Sequence, residues 1–176
     1  MRLLLVRHPR PDIASGLCYG RSDVPADEAD LERVRATLPS GLPTYSSPLR
    51  RCAQLANALH PAQLRFDARL AEMDFGTWEL RSWDAIPRSE VDAWAADLLD
   101  YRPGGGESVR DVARRVADFR ADLLAQGHAE ALVICHAGTI RLLCALHTGH
   151  SLDTAALDAA RTPHRIGYGE MLALGD

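Results

Sequence analysis

Short apolar runs alternate along this chain with longer segments whose apolar residues recur every three or four positions. The runs Arg2–Val6 and Ala131–His136 contain four and five consecutive apolar residues, which is typical of strands buried on both faces of a parallel sheet. Weaker strand patterns occupy Thr44–Ser47 and Leu64–Leu70, and a last strand is expected within His164–Leu174.

Helical patterns fill most of the segments between these runs. In chain order, helices are predicted over Leu31–Leu38, from a Ser47 cap with Pro48 in the first position, over Arg88–Leu99, from about Ser108, and from Ala137 to a stop at Gly149. Because strands alternate with helices, we predict an α/β fold, a three-layer α/β/α sandwich with a mainly parallel central sheet. Residues 1–176 are expected to form a single domain, since the chain has neither an internal repeat nor a linker-like segment.

Composition and charge argue against several classes of function. The 176 residues are 47% hydrophobic and 25% charged, and the net charge is −4. Such a balance favours neither a nucleic-acid partner nor an anionic membrane partner. No apolar run has the length of a membrane span or a secretory signal, so we expect a cytoplasmic protein.

The cysteines and most histidines give no sign of a metal site. The four cysteines are Cys18, Cys52, Cys135 and Cys144. They form no CxxC pair, so reduced and partly buried thiols are expected. His147 and His150 are three residues apart, but no carboxylate or third ligand stands beside them, and we predict no bound metal.

Both apolar core strands end in a histidine. His8 follows the first run closely, and His136 ends the second. Ligands of open α/β sheets bind outside the carboxyl ends of the strands. If the two strands are neighbours, His8 and His136 therefore lie in one crevice.

Positive charge accompanies both histidines. Arg7 precedes His8, and the helix predicted after His136 would direct free backbone N–H groups at an anion. Arg50 and Arg51 fall in the first turn of another predicted helix, where arginine is unfavourable by roughly a few tenths of a kcal/mol unless an anion binds nearby. Guanidinium groups bind phosphate through two parallel hydrogen bonds, so the pattern favours phosphoryl chemistry.

Five motifs follow one another in the order found in a known family. They are "VRH" at the end of the first strand, "SSPLRRC", "LAEMDFGTWE", "PGGGES" and "CHAGTIR". None is specific alone, but together they resemble the histidine phosphatase superfamily, also called the phosphoglycerate mutase-like family, over residues 2 to about 145. The resemblance implies the phosphoglycerate mutase-like fold, transfer of a phosphoryl group to histidine and then to water, and no metal or other cofactor.

The resemblance also implies roles for individual residues. His8 would attack phosphorus and become phosphohistidine, while Glu72 would protonate the leaving group and later activate water. Arg7, Arg51 and His136 would bind the phosphoryl oxygens.

A second group of residues would surround the bound substrate. Tyr19, Gly20 and Arg21 match the stretch that closes over substrate in relatives, and Ala137 begins the helix beside His136. Arg21 has a competing interpretation, an ion pair with Asp23.

Several other assignments have alternatives. The family pattern Ser-x-Leu-x-Arg selects Arg51 and leaves Arg50 as a solvated helix residue. Asp74 and Glu79 compete with Glu72 for the role of acid. The pair at positions 107 and 108 either lines the rim of the pocket or only caps a helix.

The chain departs from the family pattern at two places. Relatives often have Arg-His-Gly-Glu-Thr, whereas Pro9 and Pro11 flank Arg10 here. Proline has no N–H, so the backbone at Pro9 cannot donate to phosphate, and Arg10 either adds charge near the site or is solvated. Leu80 stands where relatives usually have glycine after Trp-Glu, which puts the local turn in doubt.

The remaining histidines have weaker interpretations. His60, His128 and His150 lie near turns or helix ends and are expected to be solvated. His164 is expected either to approach the crevice or to remain outside it.

We expect a phosphatase rather than a mutase, because little room exists between Glu72 and His136 for a segment that would retain an intermediate. The stretches "CYGRSDVP" and "FGTWE" look most like α-ribazole-5′-phosphate phosphatases of cobalamin synthesis. The alternatives are a broad-specificity phosphatase, a phosphoglycerate mutase-type enzyme, a non-catalytic phosphate-binding domain and a metal hydrolase. The expected partner is a small phosphorylated metabolite, and the expected assembly is a monomer or homodimer.

Overall fold

A five-stranded sheet forms the centre of the computed structural model, which describes residues 1–163 and 165–175. The strands are β1 Arg2–Arg7, β2 Thr44–Ser46, β3 Leu64–Phe66, β4 Glu130–Cys135 and β5 Met171–Leu174. Their order across the sheet is β3-β2-β4-β1-β5. Strand β5 runs antiparallel to β1 and the other pairs are parallel, so the predicted mainly parallel sheet is confirmed.

Helices cover both faces of this sheet. They are α1 Glu28–Arg35, α2 Arg50–Ala58, α3 Arg88–Ala96, α4 Val109–Ala125, α5 Ala137–His147 and α6 Leu152–Arg161. Short 3-10 turns connect them, at Ala68–Leu70, Gly76–Trp78, Trp83–Ala85 and Pro103–Gly105. Within the described ranges, no helix is long and apolar enough to cross a membrane.

Alternating side chains of β1 divide the core into two parts. Leu3 and Leu5 pack with α4, α5 and α6 on one face of the sheet. Leu4 and Val6 point to the opposite face and pack with α1 and α2. Each buried leucine contributes roughly 1.5–3 kcal/mol to folding. The predicted three-layer α/β/α sandwich is therefore confirmed.

The starts of α1 and α2 differ from the predictions. Helix α1 begins before Leu31, because the Asp27 carboxylate accepts a hydrogen bond from the Asp30 amide (2.8 Å) and caps the helix there. The prediction that Ser47 caps α2 is wrong, since the N-cap is Leu49 and no side chain caps it. The Ser47 hydroxyl is buried and bonds elsewhere.

Two predicted elements are shorter in the structure, and one helix was not predicted. Helix α3 does not extend to Leu99. Strand β3 ends early because the Asp67 carboxylate accepts a hydrogen bond from the Arg69 amide (2.9 Å) and begins a turn. Helix α6 was missed because the buried face of α6 consists of small side chains with a weak hydrophobic signal, those of Ala155, Ala156 and Ala159.

Glycines bring two of the sequence motifs into contact. The turn at Gly76–Trp78 packs against the turn at Pro103–Gly105. A Cβ atom on Gly104 would lie 2.2 Å from the Phe75 carbonyl oxygen, and one on Gly76 would lie 2.2 Å from the Gly104 carbonyl oxygen. Both residues also have positive φ angles. Only glycine fits at these positions, and the motifs "FGTWE" and "PGGGES" therefore meet beside the sheet.

Leu80 keeps the turn that relatives make with glycine, but in a strained conformation. Its φ angle is +61°, in the left-handed region. Its amide donates to the Cys18 carbonyl oxygen (2.7 Å), and the side chain is 53% exposed. A left-handed conformation costs an L-residue about 1–2 kcal/mol, and the exposed side chain recovers little of that by packing.

We predict that Leu80→Gly maintains the free energy of unfolding or raises it by up to about 1 kcal/mol. The strain relieved in the folded state should equal or exceed the cost of the greater conformational entropy that glycine gives the unfolded chain. Leu124→Gly is the matched control, because Leu124 is 39% exposed in the ordinary helical conformation of α4. This variant should lose about 1 kcal/mol of its free energy of unfolding. Urea unfolding of both variants provides the measurement. Equal destabilisation of the two would contradict the assignment of strain to Leu80.

Candidate active site

Two histidines meet at the carboxyl ends of neighbouring strands. Strands β1 and β4 pair in parallel with Arg7 opposite Cys135, so His8 and His136 emerge side by side. Their ring centroids are 5.1 Å apart, and both residues are buried. The predicted adjacency of the two strands is confirmed.

A cavity of about 620 Å³ opens at this edge of the sheet. Its polar lining residues are Arg7, His8, Tyr19, Arg51, Glu72, Arg141 and Tyr168. Its apolar lining includes Leu17, Met73, Phe75, Trp83, Trp94, Leu98, Val109, Val112, Leu142 and Ala159. The cavity therefore combines cationic groups, one carboxylate and a large apolar wall, as expected of a site for a small charged molecule with an apolar part.

The ring of His8 is held in one tautomer. Its Nδ1 lies 2.6 Å from the Pro9 carbonyl oxygen, which can only accept, so Nδ1 carries the proton. Burial, and after it the positive charge of Arg51, holds the pKa of His8 well below its ordinary value. The ring is therefore neutral at physiological pH, and Nε2 carries the lone pair.

Arg51 is fully buried, at 0% exposure, without a carboxylate as a hydrogen-bond partner among the described residues. Its terminal nitrogens donate to the carbonyl oxygens of Gly20 (2.6 Å) and Ser22 (2.8 Å). Arg7 donates from Nη1 to the Ile166 carbonyl oxygen at 2.5 Å. The Nε atoms of both arginines are buried and meet no hydrogen-bond partner in the described part of the chain. A buried guanidinium with a spare donor is costly, and an anion in the cavity would satisfy it.

The structure separates Arg51 from its neighbour Arg50. The Arg50 side chain is exposed, and its backbone amide donates to the Asp23 carboxylate (2.7 Å). Arg50 does not line the cavity, whereas Arg51 does. The geometry therefore agrees with the choice of Arg51.

Residues 19–21 have three different positions relative to the cavity. Tyr19 lines it, but the Gly20 carbonyl oxygen is used to hold Arg51. Arg21 lies 3.8 Å from the Glu107 carboxylate and is largely exposed, so the expected alternative of a pair with Asp23 is not what the structure shows. Neither Gly20 nor Arg21, both predicted to contact substrate, lines the cavity, and Gly20 instead supports Arg51 through its carbonyl oxygen.

Glu72 is the carboxylate that lines the cavity, and it lies at the start of α5. It accepts hydrogen bonds from the amides of Met73 and Gly138, both at 3.1 Å. Ala137, one residue before Gly138, also lines the cavity. Glu72 therefore lies between the cavity and the first turn of α5.

Glu79 has a structural role. Its carboxylate accepts hydrogen bonds from the amides of Gly20, Arg21 and Ser22, from the Ser22 hydroxyl and from the Phe75 amide. Although burial opposes the change, these hydrogen bonds hold the pKa of Glu79 below its usual value. Glu79 therefore fixes the loop whose carbonyl groups hold Arg51.

Asp74 and Glu107 also have partners outside the cavity. The Asp74 side chain accepts a hydrogen bond from the Gly76 amide (2.7 Å). Glu107 accepts two hydrogen bonds from Arg115, each at 2.9 Å, and one from the Asp74 amide. Ser108 caps α4 in a capping box with Asp111. Of the two interpretations for positions 107 and 108, the structure shows the capping one for Ser108 and a support role for Glu107.

His136 is fully buried behind the nucleophile candidate. Its Nε2 lies 2.8 Å from the Ser47 hydroxyl and 3.5 Å from the Cys52 sulfur. Burial, and after it the charge of Arg51, holds the pKa of His136 well below its ordinary value, so this ring is neutral too. Contact between His136 and a phosphoryl oxygen stays a prediction.

The sequence interpretation missed three polar neighbours of the site. Tyr168 packs on Arg7 with 3.9 Å between ring centroid and guanidinium carbon, and Arg141 lines the cavity. The third is Ser47, beside His136. Arg141 lies four residues after Ala137 and therefore on the same face of α5, which could have indicated its place at the site. Nothing local in the sequence indicated Tyr168.

The remaining polar candidates lie away from the cavity or outside the described residues. Arg10 is exposed and faces Asp27 at 4.0 Å. His60 and His150 are exposed as expected. The expectation of a solvated His128 is wrong, because its ring is half-buried with Nε2 3.0 Å from the Tyr45 hydroxyl. His164 lies outside the described residues.

The cysteines are free thiols, and three of the four are buried. Among residues 1–163 and 165–175, no group of three or more His, Cys, Asp or Glu side chains is arranged to hold a metal ion.

Comparison with known proteins agrees with this geometry. The family model of the histidine phosphatase superfamily (branch 1) matches residues 3–162. The adenosylcobalamin/alpha-ribazole phosphatase of Salmonella typhimurium is 31% identical, over 82% of this chain and 78% of that protein. A putative phosphoserine phosphatase 2 of Hydrogenobacter thermophilus is 27% identical, over 86% of this chain and 81% of that protein.

A solved structure has the same fold. The crystal structure of the alpha-ribazole phosphatase from Shigella flexneri superposes with a TM-score of 0.80 at 25% identity, and it covers 98% of this chain and 89% of that one. The family match and the names of these relatives support a phosphatase, a hydrolase. The chain thus belongs to the histidine phosphatase superfamily.

Proposed function

We propose that this phosphatase hydrolyses phosphomonoesters through a phosphohistidine formed on His8, without a metal ion. The observation that carries the proposal is the combination of a neutral His8 ring with the buried guanidinium group of Arg51 and the partly buried one of Arg7. The ring has its lone pair on Nε2, and Arg7 and Arg51 each keep a buried Nε–H without a partner among the described residues. This arrangement supplies a nucleophile and an anion site in one cavity.

In the first step, the lone pair of His8 Nε2 forms a bond to phosphorus as the bond to the ester oxygen breaks. Arg7 and Arg51 hold the phosphoryl oxygens and stabilise the charge that develops on them. The departing oxygen takes a proton from Glu72, which lies in the same cavity. The products of this step are an alcohol, phosphohistidine and the Glu72 carboxylate.

In the second step, water attacks the phosphohistidine. The Glu72 carboxylate takes a proton from the water as its oxygen bonds to phosphorus. The bond between phosphorus and Nε2 breaks, and its electron pair returns to the ring. Inorganic phosphate leaves, and His8 and Glu72 recover their starting states.

The hydrogen bond from Nδ1 to Pro9 supports both steps. It keeps Nε2 free to attack and stabilises the positive charge that the ring acquires when it is phosphorylated. Proline at position 9 removes an amide donor, but the bond uses its carbonyl oxygen, which proline retains.

The proposed substrate is α-ribazole-5′-phosphate, which would place the reaction in cobalamin synthesis in the cytoplasm. Two relatives named above carry that substrate in their names. The cavity provides an aromatic wall in which Phe75 and Trp94 meet edge to face with centroids 5.9 Å apart, and Trp83 packs on Phe75 at 6.2 Å. Such a wall suits the aromatic base of α-ribazole-5′-phosphate. A broad-specificity phosphatase is the alternative, favoured by the relative named for phosphoserine.

We predict that His8→Ala lowers kcat for p-nitrophenyl phosphate by about three orders of magnitude or more, because the covalent route is lost. The wild-type protein should form an acid-labile, base-stable phosphate label on His8 after rapid quenching, and its activity should survive EDTA. His150→Ala, at an exposed position, is the control and should retain activity. Near-normal turnover by His8→Ala, or inactivation by EDTA, would overturn the mechanism.

Glu72→Gln tests whether Glu72 gives a proton to the leaving group, by comparing two esters whose leaving groups differ in their need for one. We predict a loss in kcat of about 10²–10⁴-fold for an alkyl phosphate, whose oxygen needs a proton to leave. The formation of phosphohistidine from p-nitrophenyl phosphate should change much less, since p-nitrophenolate leaves readily without one. Burst kinetics with the two esters separate the steps, and an equal loss of phosphorylation rate with both would contradict the assignment of Glu72.

Trp94→Ala tests the choice of substrate. We predict that kcat/KM for α-ribazole-5′-phosphate falls about tenfold or more, because the aromatic wall loses one of its two tryptophan rings. The value for 3-phosphoglycerate, which has no apolar part, should change less than about threefold. A panel of phosphomonoesters on both proteins gives these ratios, and an equal loss for every ester would favour the broad-specificity alternative.

A further inference from the structure

The segment Ile166–Glu170, which precedes β5, covers the end of β1 where Arg7 and His8 stand. Because β5 is antiparallel to β1, its start lies beside the carboxyl end of β1. The Gly169 amide donates to the carbonyl oxygens of Arg7 (3.0 Å) and His8 (3.3 Å), and the Arg7 amide donates to the Glu170 carbonyl oxygen (3.0 Å). The family model matches residues 3–162, so this segment lies outside the matched residues.

Tyr168 stands at the centre of that segment and faces the phosphate site. Its ring centroid is 3.9 Å from the guanidinium carbon of Arg7 and 5.6 Å from the ring centroid of His8. The Tyr168 hydroxyl lies 2.9 Å from the hydroxyl of Tyr19. The Tyr19 ring in turn lies 5.3 Å from the guanidinium carbon of Arg51. A continuous path of contacts therefore joins the two arginines through two tyrosines.

The physical problem that this path solves is the repulsion between two cations. Arg7 and Arg51 both point into the cavity that His8 lines, and no carboxylate pairs with either in the described part of the chain. The electron-rich face of a tyrosine attracts a guanidinium group without neutralising it, and this attraction strengthens where water is excluded. A carboxylate in the same place would compete with the phosphoryl group, whereas an aromatic face leaves the donors of Arg7 available.

We propose that Tyr168 is a positioning residue for the phosphate site. Its ring holds Arg7 in place before phosphate binds, and its hydroxyl ties that ring to Tyr19 and so to the Arg51 side of the cavity. The ring carries most of the effect, because the Arg7 contact is made by its face and the hydroxyl bond is neutral. The inference rests on the proposed binding of a phosphoryl group by Arg7 and Arg51.

Calorimetric binding of inorganic phosphate tests the proposal without requiring turnover. Tyr168→Phe keeps the ring and should bind phosphate within about threefold of wild type. Tyr168→Leu removes the aromatic face and should weaken binding about tenfold, with a matching increase in KM for p-nitrophenyl phosphate. Tyr45→Phe is the control, since it removes a tyrosine hydroxyl that bonds His128 away from the cavity and should leave phosphate binding unchanged.

Two outcomes overturn the proposal: equal phosphate affinity of Tyr168→Leu and Tyr168→Phe, whether normal or weak, or no phosphate binding by wild type. Urea unfolding shows whether each variant is folded, and Tyr168→Met replaces the leucine variant if that one is not. A wild type that binds phosphate with this dependence on the ring, yet hydrolyses no ester, would disprove the proposed function and leave the inference standing. Ester hydrolysis by a protein whose phosphate binding does not depend on the ring would disprove the inference and leave the proposed function standing.

Discussion

The site depends on one buried charge, the guanidinium group of Arg51. It is fully buried beside two neutral histidines, and backbone carbonyl groups rather than a carboxylate hold it. Carbonyl groups fix its position without cancelling its charge, so its field adds to burial in keeping both histidine rings neutral and remains available to an anion. The carboxylate that stabilises this arrangement, Glu79, acts one step away, through the amides of the loop that carries those carbonyl groups.

The loop that holds Arg51 explains why a strained residue is tolerated. Leu80 follows Glu79 directly and donates its amide to the Cys18 carbonyl oxygen, which ties the turn to the chain that leads into the loop. A relaxed conformation at Leu80 would break that bond and turn Glu79 away from the amides it accepts from. The strain of about 1–2 kcal/mol is therefore maintained by the several hydrogen bonds that Glu79 makes.

The sequence predicted those parts of the site that follow from the sheet, and missed those that depend on distant contacts. His8 and His136 were predictable because two apolar runs mark core strands, and parallel strands end at one edge. Ser47 fits a helix cap by local rules, yet its hydroxyl bonds the buried His136, since a buried ring nitrogen without a partner is more costly than an uncapped helix. Tyr168 was missed because its position depends on the direction of β5, which no local pattern determines.

The groups proposed to transfer phosphate and the groups proposed to select the substrate also come from different parts of the fold. Strand ends and the starts of α2 and α5 supply the groups proposed to bind and transfer phosphate, and these elements are fixed by the two-sided core of the sheet. The aromatic part of the apolar wall comes from residues 75–94, where short turns and α3 pack through edge-to-face aromatic contacts rather than through the sheet. Substitutions of those aromatic side chains change the surface offered to the leaving group, whereas Glu79 in the same stretch fixes the loop that holds Arg51. One arrangement for phosphoryl transfer can therefore serve different esters, and the aromatic lining is the basis for proposing an ester with a large apolar part.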